Sequence, residues 1–113
     1  MAGKYNTVAE QGATYNLNFT VATDGVAWDL TSYSAQMQVR RSANDANTLL
    51  DLSSANGGIT MNSSGEVAVT VSATDTDALP VGRWVYDFEL TSAGNEVTRL
   101  LEGRFIVAGQ VTQ

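Results

Sequence analysis

Asp87 and Glu89 stand two residues apart in RWVYDFEL, residues 83 to 90, among Trp84, Val85, Tyr86, Phe88 and Leu90. Paired carboxylates beside aromatics are the equipment of a glycoside hydrolase. A retaining enzyme holds them about 5 to 5.5 Å apart and an inverting one roughly 6.5 to 9.5 Å. Positions i and i+2 of a strand are separated by about 7 Å, so spacing alone does not decide the matter. Alternation does more. If Trp84, Tyr86, Phe88 and Leu90 face a core, then Val85, Asp87 and Glu89 face the other way. A flat, wet sheet face offers nothing to raise one carboxylate into an acid at neutral pH. The expectation is two wet-face carboxylates that keep a hairpin soluble and pair with Arg104.

Other chemistries are narrowed by what the chain contains. It has no histidine and no cysteine, which removes the Ser-His-Asp triad, the thiol nucleophile and thiolate zinc sites. Asp75-Thr76-Asp77, with Asp29 or Asp51 elsewhere, supplies oxygen ligands for calcium but lacks the twelve-residue loop spacing and its closing Glu. The reading for that segment is a capped turn. No GxxxxGK[ST] or GxGxxG occurs, so no nucleotide site is expected. The sequence calls for no cofactor and no metal. Trp28 and Tyr33, with Tyr5, are the aromatics that alternation leaves as exposed candidates for a sugar platform, while Arg40-Arg41 reads as a solvated strand end.

Twelve acidic against six basic residues give a net charge of -6, spread along the chain, which disfavours nucleic acid as a partner. The opening MAGKYNTVAEQG has no apolar run of the about 7 to 15 residues that a secretory signal needs. No segment reaches the roughly 20 apolar residues of a membrane helix. The expectation is a soluble protein made in a cytoplasm.

The elements that must position these residues read as strands. With 113 residues, 43% hydrophobic and 16% charged, the chain has the makings of one domain. Tyr15, Leu17, Phe19 and Val21 alternate with polar residues, as do Ala35, Met37 and Val39, and Val67, Val69 and Val71 share a face. Asp24-Gly25 predicts a tight hairpin turn. Ser72 followed by Asp75 predicts one helical turn near 73–79, stopped before Pro80. The fold class is all-β: an immunoglobulin-like antiparallel sandwich of seven to nine short strands. Residues 1–8 and 108–113 read as short, extended terminal segments.

A loop over SAGN pairs RWVYDFEL with EVTRLLEGRF, placing Glu89 opposite Thr98, Asp87 opposite Leu100, Tyr86 opposite Leu101 and Trp84 opposite Gly103. In that register the glycine makes room for the indole, and Arg99 falls awkwardly inward beside Phe88. A bulge near Arg99-Leu100-Leu101 would turn Arg99 out and bring Leu100 in; alternatively its stem lies over the core edge with the guanidinium in water. The candidate partner-contact face is Val85, Asp87, Glu89, Leu100, Glu102, Arg104 and Ile106.

In order, EQGATYNLNFTV, WDLTSYSAQMQVRRS, LLDLSSANGGITM, VSATDTDALPVGRWVYDFEL and VTRLLEGRFIVAGQVTQ resemble a family of small tailed-bacteriophage virion proteins. The likeness covers nearly the whole chain in order and spacing. Ser32 stands where such proteins often have glycine, and the closing GRFIVAGQVTQ departs from the usual ending. The resemblance implies an immunoglobulin-like sandwich similar to the N-terminal domains of phage baseplate upper proteins and fibre adaptors. It brings no catalytic residues. The implied partners are other virion proteins of tail, baseplate or capsid, met in several copies, with no nucleic acid and no membrane. Head decoration or a head-tail accessory role is the alternative within the family, and a host-surface carbohydrate-binding module using Trp28 and Tyr33 is the alternative outside it.

Overall fold

Alternating apolar and polar residues form strands that bury one face, and the burial of β-branched and aromatic side chains then holds two sheets together. The computed structural model describes residues 3–109. Along them run β1 (Gly3–Lys4), β2 (Thr7–Glu10), β3 (Tyr15–Thr20), β4 (Ala22–Thr23), β5 (Val26–Ala27), β6 (Ser34–Arg40), β7 (Leu50–Ser53), β8 (Ile59–Met61), β9 (Glu66–Val71), α1 (Ala73–Asp77), β10 (Gly82–Thr91) and β11 (Val97–Ala108). The larger sheet runs β1-β11-β10-β6-β7, with β2 continuing β1 alongside β11, and the smaller runs β3-β9-β8. The chain passes from the small sheet at β3 to the large at β6 and β7, back to β8 and β9, and returns to β10 and β11. This is the layout of an immunoglobulin-like sandwich. Three of the eleven described strands have only two residues, so the expected seven to nine match the longer ones.

The core lies between the sheets. Leu17, Ile59, Val67, Val69 and Val71 meet Met37, Val39, Phe88, Leu90 and Phe105, all buried. Phe19 meets Phe88 edge-on with ring centres 5.2 Å apart, and Tyr15 meets Phe105 at 5.3 Å. Each such pair adds about 0.5 to 1.5 kcal/mol beyond the area it buries. Trp84 is only partly buried: its indole donates to the Pro80 carbonyl at 2.9 Å and carries the Arg41 guanidinium 5.0 Å above it.

Local signals behave as their chemistry requires. Asp24 and Gly25 both have positive φ, as a two-residue hairpin turn demands. Ser72 Oγ accepts from the Asp75 N–H at 3.2 Å and starts α1, which is two residues shorter than expected. Thr76, fully buried, donates to the Ala13 carbonyl at 2.8 Å and so ties the helix to the N-terminal segment.

The N-terminal segment is not a loose arm. β1 and β2 run parallel to β11, with Gly3 beside Leu101, Lys4 beside Glu102, Thr7 beside Phe105 and Val8 beside Ile106. Between them the Tyr5 N–H donates to the Glu102 carbonyl at 3.0 Å, and Asn6 Oδ1 accepts from the Arg104 N–H at 3.0 Å. Two buried tyrosines anchor the segment from below: Tyr86 donates to the Tyr5 carbonyl at 2.6 Å, and the Tyr15 hydroxyl lies 2.8 Å from Thr7 Oγ1. Burial pushes the phenol pKa of both tyrosines up. At the far end β11 finishes at Ala108, and the predicted tail beyond Gly109 lies outside the described residues.

Gly103 serves this crossing rather than the indole. A Cβ there would collide with the Tyr5 carbonyl, whereas Trp84 lies over Gly82, where a Cβ would come within 2.5 Å of Cζ2. Replacing Gly103 by Ala is expected to cost about 1 to 3 kcal/mol of stability in urea unfolding. Gly94→Ala, whose Cβ would find nothing closer than 3.9 Å, is expected to stay within about 0.5 kcal/mol. Equal costs for the two variants would contradict this account of the N-terminal strand.

Candidate functional site

The outer face of the large sheet is built by the β10–β11 hairpin, whose loop closes more tightly than the sequence suggests. Asn95 takes a positive φ of 66°, its N–H bonds back to Ser92, and Ser92 donates to the Glu96 carbonyl at 2.9 Å. A left-handed residue ending a three-residue loop is a common hairpin closure. Glu89 therefore pairs with Arg99 and not Thr98, which turns Arg99 outward. One residue further the register shifts again. Phe88 pairs with Leu101, Asp87 with Glu102, Tyr86 with Gly103 and Val85 with Arg104, leaving Leu100 as the bulged residue.

This corrects the predicted face at Leu100, which packs against the core together with Leu101. The bulge is how two successive leucines both reach the interior. Val85, Asp87, Glu89, Glu102, Arg104 and Ile106 remain on the outer face, where the register brings them together. Four rows cross it. Val8, Ile106 and Arg83 form the first; Arg104, Val85 and Arg40 the second; Lys4, Glu102, Asp87, Gln38 and Asp51 the third; Arg99, Glu89 and Gln36 the fourth. A depression of about 490 Å³ lies over the middle rows, between Gln38, Arg40, Val85, Asp87, Glu102 and Arg104.

Arg99 replaces the predicted Arg104 as the carboxylates' partner. Its guanidinium lies 3.4 Å from Asp87, 3.5 Å from Glu89 and 3.9 Å from Glu102. With about half of the arginine exposed, these pairs are screened, and together contribute on the order of 1 kcal/mol or less. Asp87 departs from the wet-face expectation: partial burial, then the neighbouring Glu89 charge, raises its carboxyl above the ordinary value, and Arg99 and Arg40 offset this only in part. Because the folded-state value is raised, Asp87 favours the folded state in acid. That contribution is lost as pH rises from the ordinary Asp value through the raised one.

Trp28 and Tyr33 are not the open platform expected of them. Both are half-buried against the core, their rings are 6.0 Å apart and inclined at 41°, and the Trp28 indole donates to Thr23 Oγ1 at 2.8 Å. Tyr5 alone of the three is exposed, at 48%. Asp29 accepts from both the hydroxyl and the N–H of Thr31, which hold its carboxyl below the ordinary range. That turn seats Leu30 in the core. Among the described residues no three acidic side chains converge as metal ligands, and no helix is long and apolar enough to cross a membrane.

Compared with protein-family models the sequence matches none, and a search of curated proteins likewise returned no match. The outer face is therefore understood from its own geometry. Arg83, Lys4, Val8 and Asp51 carry no sequence signal of a contact role, because their places depend on which strands flank β10 and β11. For Arg99 a signal existed: Leu100-Leu101 breaks the alternation. Replacing Arg99 by Gln should push the Asp87 carboxyl still higher, read from side-chain carboxyl shifts in an NMR pH titration. An Asp87 that titrates at or below the ordinary value in the unmodified protein would contradict the arrangement.

Proposed function

We propose that the protein is a non-enzymatic structural subunit of a tailed-bacteriophage particle, an assembly module of the tail, baseplate or fibre adaptor, that seats on its neighbours through the outer face of the large sheet. The observation that carries this reading is how the residues of the phage-like segments are used. Leu30 and Tyr86 fill the core, Asp29 closes a turn, Ser72 caps α1, and Gly103 lets the N-terminal strand pass. These are duties of a scaffold.

The outer face supplies what a scaffold lacks elsewhere. Val8, Val85 and Ile106 lie beside arginines and carboxylates, the mixture of apolar and charged groups that suits a moderate contact. Moderate contacts suffice when many copies act together on a symmetric particle. Asp87 and Glu89 then serve as contact groups arranged around Arg99, with no part in hydrolysis. Labelled antibodies against this protein are expected to mark the tail of intact particles. Label spread over the head would overturn the tail placement and favour capsid decoration; particles free of the protein would overturn the virion role itself.

A further inference from the structure

The outer face divides by charge along the strand direction. Its first two rows hold Arg83, Arg104 and Arg40 with Val8, Val85 and Ile106, and no carboxylate. Its third and fourth rows hold Asp87, Glu89, Glu102 and Asp51 against Lys4 and Arg99. Arg83 and Arg104 are exposed and enter no ion pair among the described residues. Arg40 is engaged with the Asp45 carbonyl and with Gln38.

We infer that this face binds a second copy of the same chain, as a two-fold dimer in which the arginine half of each copy covers the carboxylate half of the other. Complementarity fixes the axis. A two-fold running across the strands, between the second and third rows, exchanges the halves, whereas one running along the strands would set arginine on arginine. At the centre of the exchanged arrangement Arg104 of one copy meets Glu102 of the other, with Val85 beside the axis, and in the outermost rows Arg83 meets Glu89. Such an isologous contact is self-complementary by construction.

The charge distribution favours a second copy as the occupant. The net charge of -6 makes two chains repel in most orientations. Asp24, Asp29, Glu66, Asp75, Asp77 and Glu96 all lie off the large sheet, so the repelling charge is carried elsewhere. The outer face of the small sheet presents Asn16, Asn18, Thr60 and Thr70 with Glu66 and no cation, and gives an acidic copy nothing to pair with. The fourteen side chains of those rows, each on about 6.7 by 4.8 Å of sheet, make a patch of roughly 450 Å² per copy. Two such patches bury about 900 Å², the size of a weak, reversible association.

The inference rests on the reading of this face as a contact surface, and its test is independent of the particle. The mass of the purified full chain in solution is measured by sedimentation, with circular dichroism as the check on folding. The unmodified chain is expected to dimerise, and to do so at least about tenfold more weakly when salt is raised from about 20 mM to about 500 mM. Arg104→Glu alone and Glu102→Arg alone should each weaken the dimer at least about tenfold, and the double exchange in one chain should restore it. A chain that stays monomeric at low salt overturns the dimer, as does a dimer indifferent to either single change. Should a single variant misfold, Arg83→Glu tests the same pairing through Glu89. A monomer that still labels the phage tail refutes this inference and leaves the proposed function standing; a dimer absent from particles does the reverse.

Discussion

Asn95, at a φ of 66°, closes the β10–β11 loop, and every pairing further along the hairpin inherits that closure. Side chains alternate strictly along a strand, so a closure one residue longer would exchange the two faces of β11 near the turn. Arg99 would then enter the core beside Phe88 without a carboxylate to meet it, an arrangement that costs several kcal/mol. With the tight loop it stands outside among Asp87, Glu89 and Glu102. The bulge at Leu100 is the second half of the same solution. It lets Leu100 and Leu101 both pack inward, then restores alternation so that Phe105 and Val107 are buried while Arg104 and Ile106 face out.

The face created by that hairpin is widened by the N-terminal strand. Gly103 lets the Tyr5 backbone cross close to β11, and the Tyr86 hydroxyl satisfies the Tyr5 carbonyl from the core side. Lys4 and Val8 are thereby set at the margin of the outer face, in the rows of Glu102 and Ile106. Core and surface are thus coupled through one stretch of β11: a glycine chosen for clearance, followed by an arginine that points outward. The acid-favouring contribution of Asp87 belongs to the same design, since β11 and β6 flank β10 and shield its carboxyl from water.

Much of the fold was legible because its signals are local. Alternation marked Tyr15, Leu17, Met37, Val39, Val67, Val69 and Val71 as core, and all are buried. Asp24-Gly25 and Ser72 with Asp75 needed only their nearest neighbours to be recognised. In the last hairpin the bulge was legible, because Leu100-Leu101 breaks the alternation beside Arg99, but the loop closure was not, since SAGN can close in more than one way. The parallel pairing of β1 and β2 left no mark in the composition of residues 1–8. Trp28 and Tyr33 lie in a stretch without a period, where a loop can fold its aromatics back onto the core and leave no sequence mark of it.

The most direct test of this account is the pairing of β10 with β11 in solution, read as backbone proton–proton contacts across the hairpin by NMR. Contacts are expected between Glu89 and Arg99 and between Asp87 and Glu102, with Leu100 unpaired. Contacts joining Glu89 to Thr98 and Asp87 to Leu100 would contradict it, because that register returns Arg99 to the interior and dissolves the outer face described here.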